Sequence, residues 1–327
     1  MASSPASPPS FPPPIIIPPS NPSTHTHTFI ILHGRGSSSS HFSTPFISTP
    51  FPSSSSSSSS TLQSLYPTTK FIFPSAPYSR ATIYKRSLIT QWFDSWHLHG
   101  DDSFPYHRHP KHQNEEWRVI AGLQTTTSYI HNLIRKEAAL LPGGTQSIVL
   151  GGISQGCAAS LVALILWDGE ERVGGYLGMC GWLPFAETIK KEAMEKGDDA
   201  EDDDDWDPFQ RDDNDDEEGN EKEETSLDIS AAVVKTLREC LELDADGTKN
   251  PISRPKTFDT PVFLGHGGQD PKVPLIHGKE AAERLRAIGF DNVSWNEYQG
   301  LGHWYSPQML TDMVAFLKSH NTIDEAT

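Results

Sequence analysis

Cysteines and long apolar runs are scarce in this sequence. Only three of its 327 residues are cysteines, Cys157, Cys180 and Cys240, which is too few for the disulfide framework of a small secreted protein and fits a reducing compartment. No segment approaches the roughly 18 consecutive apolar residues of a membrane-spanning helix. The N-terminal residues MASSPASPPSFPPPIIIPPS lack both the charged start and the apolar core of a secretory signal. These absences predict a cytoplasmic protein, with the nucleus as a second compartment, and no stable membrane insertion.

Basic residues are also few compared with acidic ones, but the excess of acidic residues is confined to one segment. The chain has 26 basic and 43 acidic residues and a formal net charge of −17. Residues 198–224 alone contain 17 acidic and 2 basic residues, so the rest of the chain is nearly neutral. A nearly neutral body lacks the basic surface that nucleic-acid binding requires, and we expect no nucleic-acid partner. The acidic block, at about 196–225, is predicted to be a disordered insertion because it is self-repelling and poor in apolar residues.

Strands and helices alternate in what remains. Residues 1–24, rich in proline and serine, are predicted to be disordered, residues 37–60 form a serine-rich insertion, and residues 323–327 form a tail. Residues 25–322 predict a single domain, because apolar runs of strand length alternate with segments of helical period. The predicted strands are 28–32, 70–73, 147–150, 174–179, 261–264 and 293–298, and the predicted helices are 115–141, 158–167, 277–288 and 307–318. This order indicates an α/β fold with a mostly parallel sheet covered by helices on both faces.

The motif Gly152-Ile153-Ser154-Gln155-Gly156 lies between a predicted strand and a predicted helix. It matches G-x-S-x-G, the nucleophile elbow, in which a sharp turn exposes a serine Oγ at the start of a helix. Residues with bulk two positions before or after the serine would block such a turn, and Gly152 and Gly156 meet this need. Two glycines around a serine can also be a plain structural turn, but the strand before it and the helix after it favour a nucleophile.

A base and an orienting carboxylate follow two later strands. Ligands of parallel sheets bind beyond the carboxyl ends of the strands, and Asp270 and His303 each lie just past a predicted strand. The chain order Ser154, Asp270, His303 is the one that a hydrolase of this sheet type requires. Three other candidates are placed less well relative to the strands: His266, Asp259 and Asp291.

Acyl transfer further needs two backbone N–H groups that stabilise the tetrahedral oxyanion. One is expected from Gln155, directly after the nucleophile. The other is expected from Arg35, in the loop His33-Gly34-Arg35-Gly36 that follows the first predicted strand. A glycine loop that only reverses the chain is the simpler alternative for this segment.

Seven stretches together point to one family. They are FIILHGRG, FPSAPYS, QWFDSW, IVLGGISQGCAASL, GYLGMCGWLP, TPVFLGHGGQDPKVPLIHG and YQGLGHWYSPQML. In this order the chain resembles the acyl-protein thioesterase/carboxylesterase group of α/β-hydrolases, which also includes lysophospholipases. The resemblance implies the α/β-hydrolase fold, a triad of Ser154, Asp270 and His303, and an oxyanion hole made by the N–H groups of Arg35 and Gln155.

The chain departs from the family pattern at several points. Ser37 stands where the family usually has aspartate, Cys157 stands where it usually has glycine, and the acidic block interrupts the segment after Pro184. The histidine-rich residues 104–113 fit no standard metal-ligand spacing, and the run DADG at 244–247 lacks the later ligands of a calcium loop. We therefore predict no metal and no cofactor.

The predicted function is that of a serine hydrolase that cleaves acyl thioesters or esters through an acyl-enzyme. The resemblance implies an acyl-protein thioesterase, with a small-ester carboxylesterase or lysophospholipase as the alternative. A catalytically silent scaffold that uses the acidic insertion is the non-enzymatic alternative. The expected substrate partner is an acylated protein or a small acyl ester. The chain is also expected to form a weak homodimer. Four residues are candidates for lining an acyl site, with ordinary core packing as the alternative for each: Trp92, Phe93, Trp182 and Leu183.

Overall fold

A seven-stranded sheet lies at the centre of the computed structural model, which describes residues 10–21, 24–52, 59–95, 116–198, 218–243 and 254–323. Its strands are β1 (Ile15–Ile17), β2 (His27–Leu32), β3 (Thr69–Phe73), β6 (Ile148–Ile153), β7 (Gly175–Met179), β8 (Val262–Gly267) and β9 (Val293–Tyr298), and a separate hairpin is formed by β4 (Tyr78–Ala81) and β5 (Ser87–Thr90). The strand order is β1-β3-β2-β6-β7-β8-β9. Every neighbouring pair is parallel except β1 with β3.

Helices cover both faces of the sheet. They are α1 (Ser39–Ser48), α2 (Leu62–Leu65), α3 (Glu116–Ala138), α4 (Gln155–Ile165), α5 (Ala186–Asp198), α6 (Glu218–Cys240), α7 (Leu275–Ala287) and α8 (Pro307–Ser319). Side chains alternate along β2, so Phe29 and Ile31 pack with α1, α2 and α8, whereas Ile30 and Leu32 pack with α3, α4 and α7. This two-sided burial explains the unbroken apolar run in the sequence. The predicted α/β-hydrolase fold class is confirmed.

The predicted elements are present, with boundaries that shift by a few residues. One such shift is at the elbow, where β6 runs on to Ile153 and α4 already begins at Gln155. Gly151 and Gly152 continue the strand because they still pair with neighbours on both sides, for example Gly152 with Leu32 and with Gly178. No helix within the described ranges is both long and apolar enough to cross a bilayer.

The N-terminal segment contains a strand that the sequence did not lead us to expect. Ile15–Ile17 pair antiparallel with β3, and Phe11 stacks on the ring of Tyr129 with 4.0 Å between centroids. The prediction of disorder over residues 1–24 is wrong for this strand. Three β-branched residues favour extended structure, and the flanking prolines are tolerated because the strand lies at the edge of the sheet.

Helices also occur in the serine-rich insertion and at the two ends of the acidic one. The serine-rich segment contains α1, which begins after the Ser38 cap and buries Phe42, Phe46 and Ile47. Helices α5 and α6 enter the two ends of the acidic block, and residues 199–217 lie outside the described part of the chain. The histidine-rich residues 104–113 and the run at 244–247 lie outside it as well.

Candidate active site

Ser154 occupies a strained turn between β6 and α4. Its φ is 57° and its ψ is −124°, a backbone conformation that non-glycine residues rarely adopt. A Cβ at Gly152 would lie 2.5 Å from the carbonyl carbon of Gly156, and a Cβ at Gly156 would lie 2.5 Å from the carbonyl oxygens of Leu32 and His33. Only glycine fits at these two positions, because backbone atoms rather than flexible side chains would be in the way. This is the geometry of a nucleophile elbow.

The loop after β2 lies directly against this serine. A Cβ at Gly34 would lie 3.3 Å from Ser154 Cβ and 3.7 Å from its Oγ. The loop closes through a turn in which the Ser37 N–H donates to the Gly34 carbonyl over 3.1 Å, and Gly36 has a φ of 72°. Gly36 in turn donates its N–H to the Thr90 carbonyl of β5 over 2.8 Å. The loop is therefore tied to the hairpin and does not merely reverse the chain.

His33 fixes one peptide plane of this loop. Its Nε2 accepts the Ala76 N–H over 3.1 Å, so the ring proton must be on Nδ1, which donates to the Gly34 carbonyl over 2.8 Å. Burial lowers the pKa of His33 to about 4, against a smaller rise from the bond to Gly34, so the ring is neutral near pH 7. In a trans peptide the C=O and the N–H point in opposite directions. The bond to the Gly34 carbonyl therefore turns the Arg35 N–H away from His33.

Asp270 joins two histidines. Its Oδ2 accepts from His303 Nδ1 over 2.7 Å and lies 3.3 Å from His266 Nε2, which also donates to the Val273 carbonyl over 2.9 Å. Its Oδ1 accepts the N–H groups of Lys272 and Val273, over 2.8 and 3.0 Å. Burial acts to raise the pKa of Asp270, but the hydrogen bonds from His266, His303 and Val273 outweigh it and hold the pKa well below its usual range. The carboxylate thus stays ionised beside His303.

His266 is a partner of Asp270 that the sequence reasoning missed. It lies within β8, before the loop that contains Asp270. Three residues separate it from Asp270, and the chain turns between them, so the two side chains meet. The His-x-x-x-Asp spacing across a strand end was the available signal. The other two alternatives pair elsewhere: Asp259 and Asp291 both bind Arg254.

Cys180 lies beside the Asp270–His303 pair, at the end of β7. It is buried with a φ of 46°, and its Sγ lies 3.4 Å from the Trp304 carbonyl oxygen. Burial raises the pKa of this thiol to about 12, so it is uncharged. Ligand atoms of Cys180, Asp270 and His303 lie within 4.8 Å of one another and could in principle hold a metal ion. Here the carboxylate and the imidazole bind each other, and the absence of a metal stays a prediction.

A cavity of about 330 Å³ opens above these groups. Its lining residues are Gly34, Arg35, Ser37, Phe42, Ile83, Tyr84, Ile153, Ser154, Trp182, Pro271, Lys272, Val273, His303 and Trp304. Ser154 and His303 thus face the same space, and Asp270 supports His303 from below. The structure brings together the three residues that the sequence placed after separate strands.

Of the four predicted acyl-site residues, Trp182 lines this cavity. Trp92, Phe93 and Leu183 are buried in the core on one face of the sheet and are not among its described lining residues. Phe93 packs against Gly122 of α3, and the Trp92 ring lies against the rings of Phe11 and His33. For Trp92, Phe93 and Leu183, the alternative of ordinary core packing is the one that applies.

The side chain of Gln155 has a structural part to play that the sequence reasoning did not foresee. Its Oε1 accepts the Trp92 N–H over 3.0 Å, and its Nε2 donates to the Phe93 carbonyl over 2.7 Å. The Trp92 indole N–H in turn donates to the His33 carbonyl over 2.7 Å. The buried amide therefore connects the elbow to the segment behind the loop that follows β2.

The β4–β5 hairpin forms part of the cavity rim, which the sequence did not indicate. The connection between its strands contributes Ile83 and Tyr84 to the lining. Asp94 holds this connection through Thr82, whose N–H donates to Oδ1 over 2.9 Å and whose hydroxyl donates to Oδ2 over 2.5 Å. The aspartate of the stretch QWFDSW is thus an anchor for the rim.

The chain is similar to known proteins over most of its length. The family model described as phospholipase/carboxylesterase matches residues 14–199 and 246–321. Acyl-protein thioesterase 1 of Gibberella zeae is 28% identical over 299 residues, which cover 90% of this chain and 91% of that protein. Acyl-protein thioesterase 1 of Candida albicans is 24% identical over 92% of this chain and 95% of its own length.

Solved structures show the same fold. Acyl-protein thioesterase 2 of Zea mays superposes with a TM-score of 0.57 at 19% identity, covering 94% of this chain and 98% of that one. SOBER1 of Arabidopsis thaliana also gives a TM-score of 0.57, at 20% identity, covering 90% of this chain and 99% of that one.

Proposed function

The chain belongs to the phospholipase/carboxylesterase family, and from this premise we propose that it is a serine hydrolase of the acyl-protein thioesterase type. The observation that carries the proposal is the shared cavity of Ser154 and His303, with the Asp270 carboxylate 2.7 Å from His303 Nδ1. The names of the curated relatives support the choice of a thioester of an acylated protein as substrate.

The proposed reaction has two halves. His303 takes the proton of Ser154 through Nε2 while Oγ attacks the acyl carbonyl, and the same proton goes to the departing thiolate or alkoxide. This gives the acyl-enzyme and the free thiol or alcohol. Water, deprotonated by His303, then attacks the acyl-enzyme, and the acid leaves as His303 returns the proton to Ser154 Oγ. Asp270 holds the imidazole in the tautomer with a proton on Nδ1 and stabilises the imidazolium.

The anion of each tetrahedral intermediate would bind two backbone N–H groups. In the proposal these belong to Gln155, at the N-terminus of α4, and to Arg35, whose peptide plane His33 holds. The helix dipole adds a favourable potential at the same point. No cofactor enters this scheme.

A small-ester carboxylesterase or a lysophospholipase would use the same residues. The buried apolar part of the cavity lining supports an acyl chain as the bound group but does not select its length. The low cysteine content supports a reducing compartment such as the cytoplasm or nucleus. A weak homodimer stays a prediction.

The first experiment is labelling with a fluorophosphonate probe, which reacts with an activated serine. We expect the wild-type protein to be labelled and Ser154→Ala to be unlabelled. Ser40→Ala, which removes an exposed hydroxyl on α1, serves as the matched control and should label like the wild type. A folded wild-type protein that resists the probe would instead favour the scaffold alternative.

A second experiment ranks the substrates. An S-palmitoyl peptide, an S-acetyl peptide and a short p-nitrophenyl ester are compared by kcat/KM. A thioesterase for long chains should prefer the S-palmitoyl peptide at least about tenfold, because each buried CH₂ contributes about 0.8 kcal/mol. Equal values for all three would support the small-ester alternative.

A further inference from the structure

The cavity has an apolar inner wall and a charged rim. Ile153, Trp182 and Val273 line it and are buried, whereas Lys272 lines it and is exposed. An acyl chain gains most by leaving water, so it belongs against the inner wall. The rest of the substrate, on the other side of the bond that Ser154 attacks, then lies nearer the rim.

Two cations line this cavity. The Arg35 guanidinium is held in place, because its Nη1 donates to the carbonyl and the hydroxyl of Ser95 over 3.1 and 3.0 Å, and its Cζ lies 6.0 Å from the ring centroid of Tyr84. Lys272 has a fixed backbone, since its N–H donates to Asp270, but an exposed side chain. Within the described ranges its ammonium makes no salt bridge. It is a point charge on a flexible stem.

No carboxylate in the described lining balances the charge of Lys272. Neither aspartate nor glutamate is among the lining residues, and Asp270 lies beneath His303 rather than on the wall. Outside the acidic block at 198–224 the chain is nearly neutral, so the cationic rim is not part of a generally basic surface. A cationic rim in such a protein points to a substrate that has its own negative charge close to the reacting bond.

On the premise that the protein is the thioesterase proposed above, we propose that its preferred substrates are S-acylated peptides with an aspartate or glutamate next to the acylated cysteine. The carboxylate of that residue binds the Lys272 ammonium at the rim while the acyl chain lies on the inner wall. Arg35 adds a fixed positive potential that favours the same sign of charge. Lys272 is thus a residue that determines substrate specificity.

The test uses three S-octanoyl-cysteine peptides of equal length, with glutamate, glutamine or lysine on both sides of the cysteine. For the wild-type protein we expect kcat/KM to fall in the order glutamate, glutamine, lysine, with about a 3- to 10-fold difference between the outer two, as for a partly exposed charge pair. Raising the salt concentration should reduce this difference.

Lys272→Glu should reverse the order of the three peptides. Lys279→Glu is the matched control, because Lys279 is exposed on α7, lies outside the cavity lining and undergoes the same change of charge. It should keep the wild-type order. The ratio of rates between peptides is the readout, so a general loss of activity in either variant does not affect it.

The remaining outcomes count against the inference. Equal rates on the three peptides in the wild type would overturn it and leave the thioesterase activity standing. A monoacyl glycerophosphate cleaved faster than the matched neutral monoacylglycerol, without any preference among peptides, would overturn it in favour of a lysophospholipid substrate. Failure to cleave any peptide would remove the proposed function and this inference together.

Discussion

His33 lies buried behind the cavity, and its two ring nitrogens face different backbone groups. Nδ1 donates to the Gly34 carbonyl, and Nε2 accepts from Ala76. The first contact orients the peptide whose N–H is proposed to bind the oxyanion, and the second keeps the ring in the required tautomer. His33 touches no reacting atom in this scheme and acts as a positioning residue.

Two substitutions separate these contacts. His33→Asn places an amide N–H near the position of Nδ1, and His33→Gln places an amide near Nε2. We expect kcat on a short ester to fall about 10- to 100-fold in the Gln variant, with KM nearly unchanged. This is part of the 10²- to 10³-fold loss that follows deletion of an oxyanion donor. In the Asn variant kcat should fall less. Steady-state kinetics and thermal melts check this. Equal losses in kcat at equal stability would show that the Gly34 contact is not the relevant one.

Single residues differ in how far the sequence could predict them. Ser154, Asp270 and His303 follow strands, and the rule that sites gather at the carboxyl ends of a parallel sheet is enough to group them. His266 and the Gln155 amide act within the packed interior, where the partner is decided by how elements stack. For Trp92 and Phe93 the sequence does not decide between lining the cavity and packing in the core, because an aromatic side chain suits both positions.

At the scale of elements, the close contact between α4 and the end of β2 leaves no room for an added side chain. Gly156→Ala would bring a Cβ to 2.5 Å from two backbone oxygens. We expect a loss of about 1–3 kcal/mol in the free energy of unfolding, the usual range for overpacking, and a loss of probe labelling at Ser154 as the elbow is displaced.

Gly302→Ala is the control for this substitution, because nothing lies within 4 Å of a Cβ there. Its free energy of unfolding, measured by urea titration, should change by less than about 1 kcal/mol, the range of ordinary glycine substitutions. A stable, fully labelled Gly156→Ala protein would mean that the turn adjusts more easily than its backbone contacts indicate.

Elements with a clear apolar period were predicted from sequence, and those without one were not. Helix α3 repeats its apolar residues at helical spacing, β8 begins with the apolar run VFL, and β9 alternates apolar and polar residues over VSWN. Helix α1 contains Pro45 and several serines, so its buried Phe42 and Phe46 were hidden in a segment that composition alone marks as biased. Sequence composition averages over a segment, whereas burial depends on two or three side chains in it.

For the whole molecule, two buried histidines link stability to pH. Burial lowers the pKa of His131 to about 4, partly opposed by its hydrogen bond to the Ala163 carbonyl, and His33 has a similar value. The unfolded chain has a histidine pKa near 6.5, so between about pH 6.5 and 4 it binds more protons than the folded protein. The stabilisation from the neutral rings is complete above about pH 6.5 and is lost as the pH falls toward 4, at up to about 1.4 kcal/mol per pH unit for each histidine.

His131→Gln tests this linkage, because a glutamine amide can still donate to the Ala163 carbonyl but does not titrate. We expect the free energy of unfolding of the variant to fall less steeply than that of the wild type between pH 6.5 and 4.5, by about the equivalent of one proton. Urea unfolding at several pH values measures both slopes. Parallel curves would contradict the assignment of a neutral buried ring.

Strand β1 has a consequence for association between chains. A sheet edge presents unpaired N–H and C=O groups on which a strand of another molecule can add. In this protein Ile15–Ile17 occupy the edge of β3, and the prolines on either side of them cannot donate backbone hydrogen bonds to a further strand. The proline-rich N-terminal segment thereby protects the sheet edge from pairing with another molecule. A variant that begins at residue 25 would lose this protection and keep every described lining residue of the cavity.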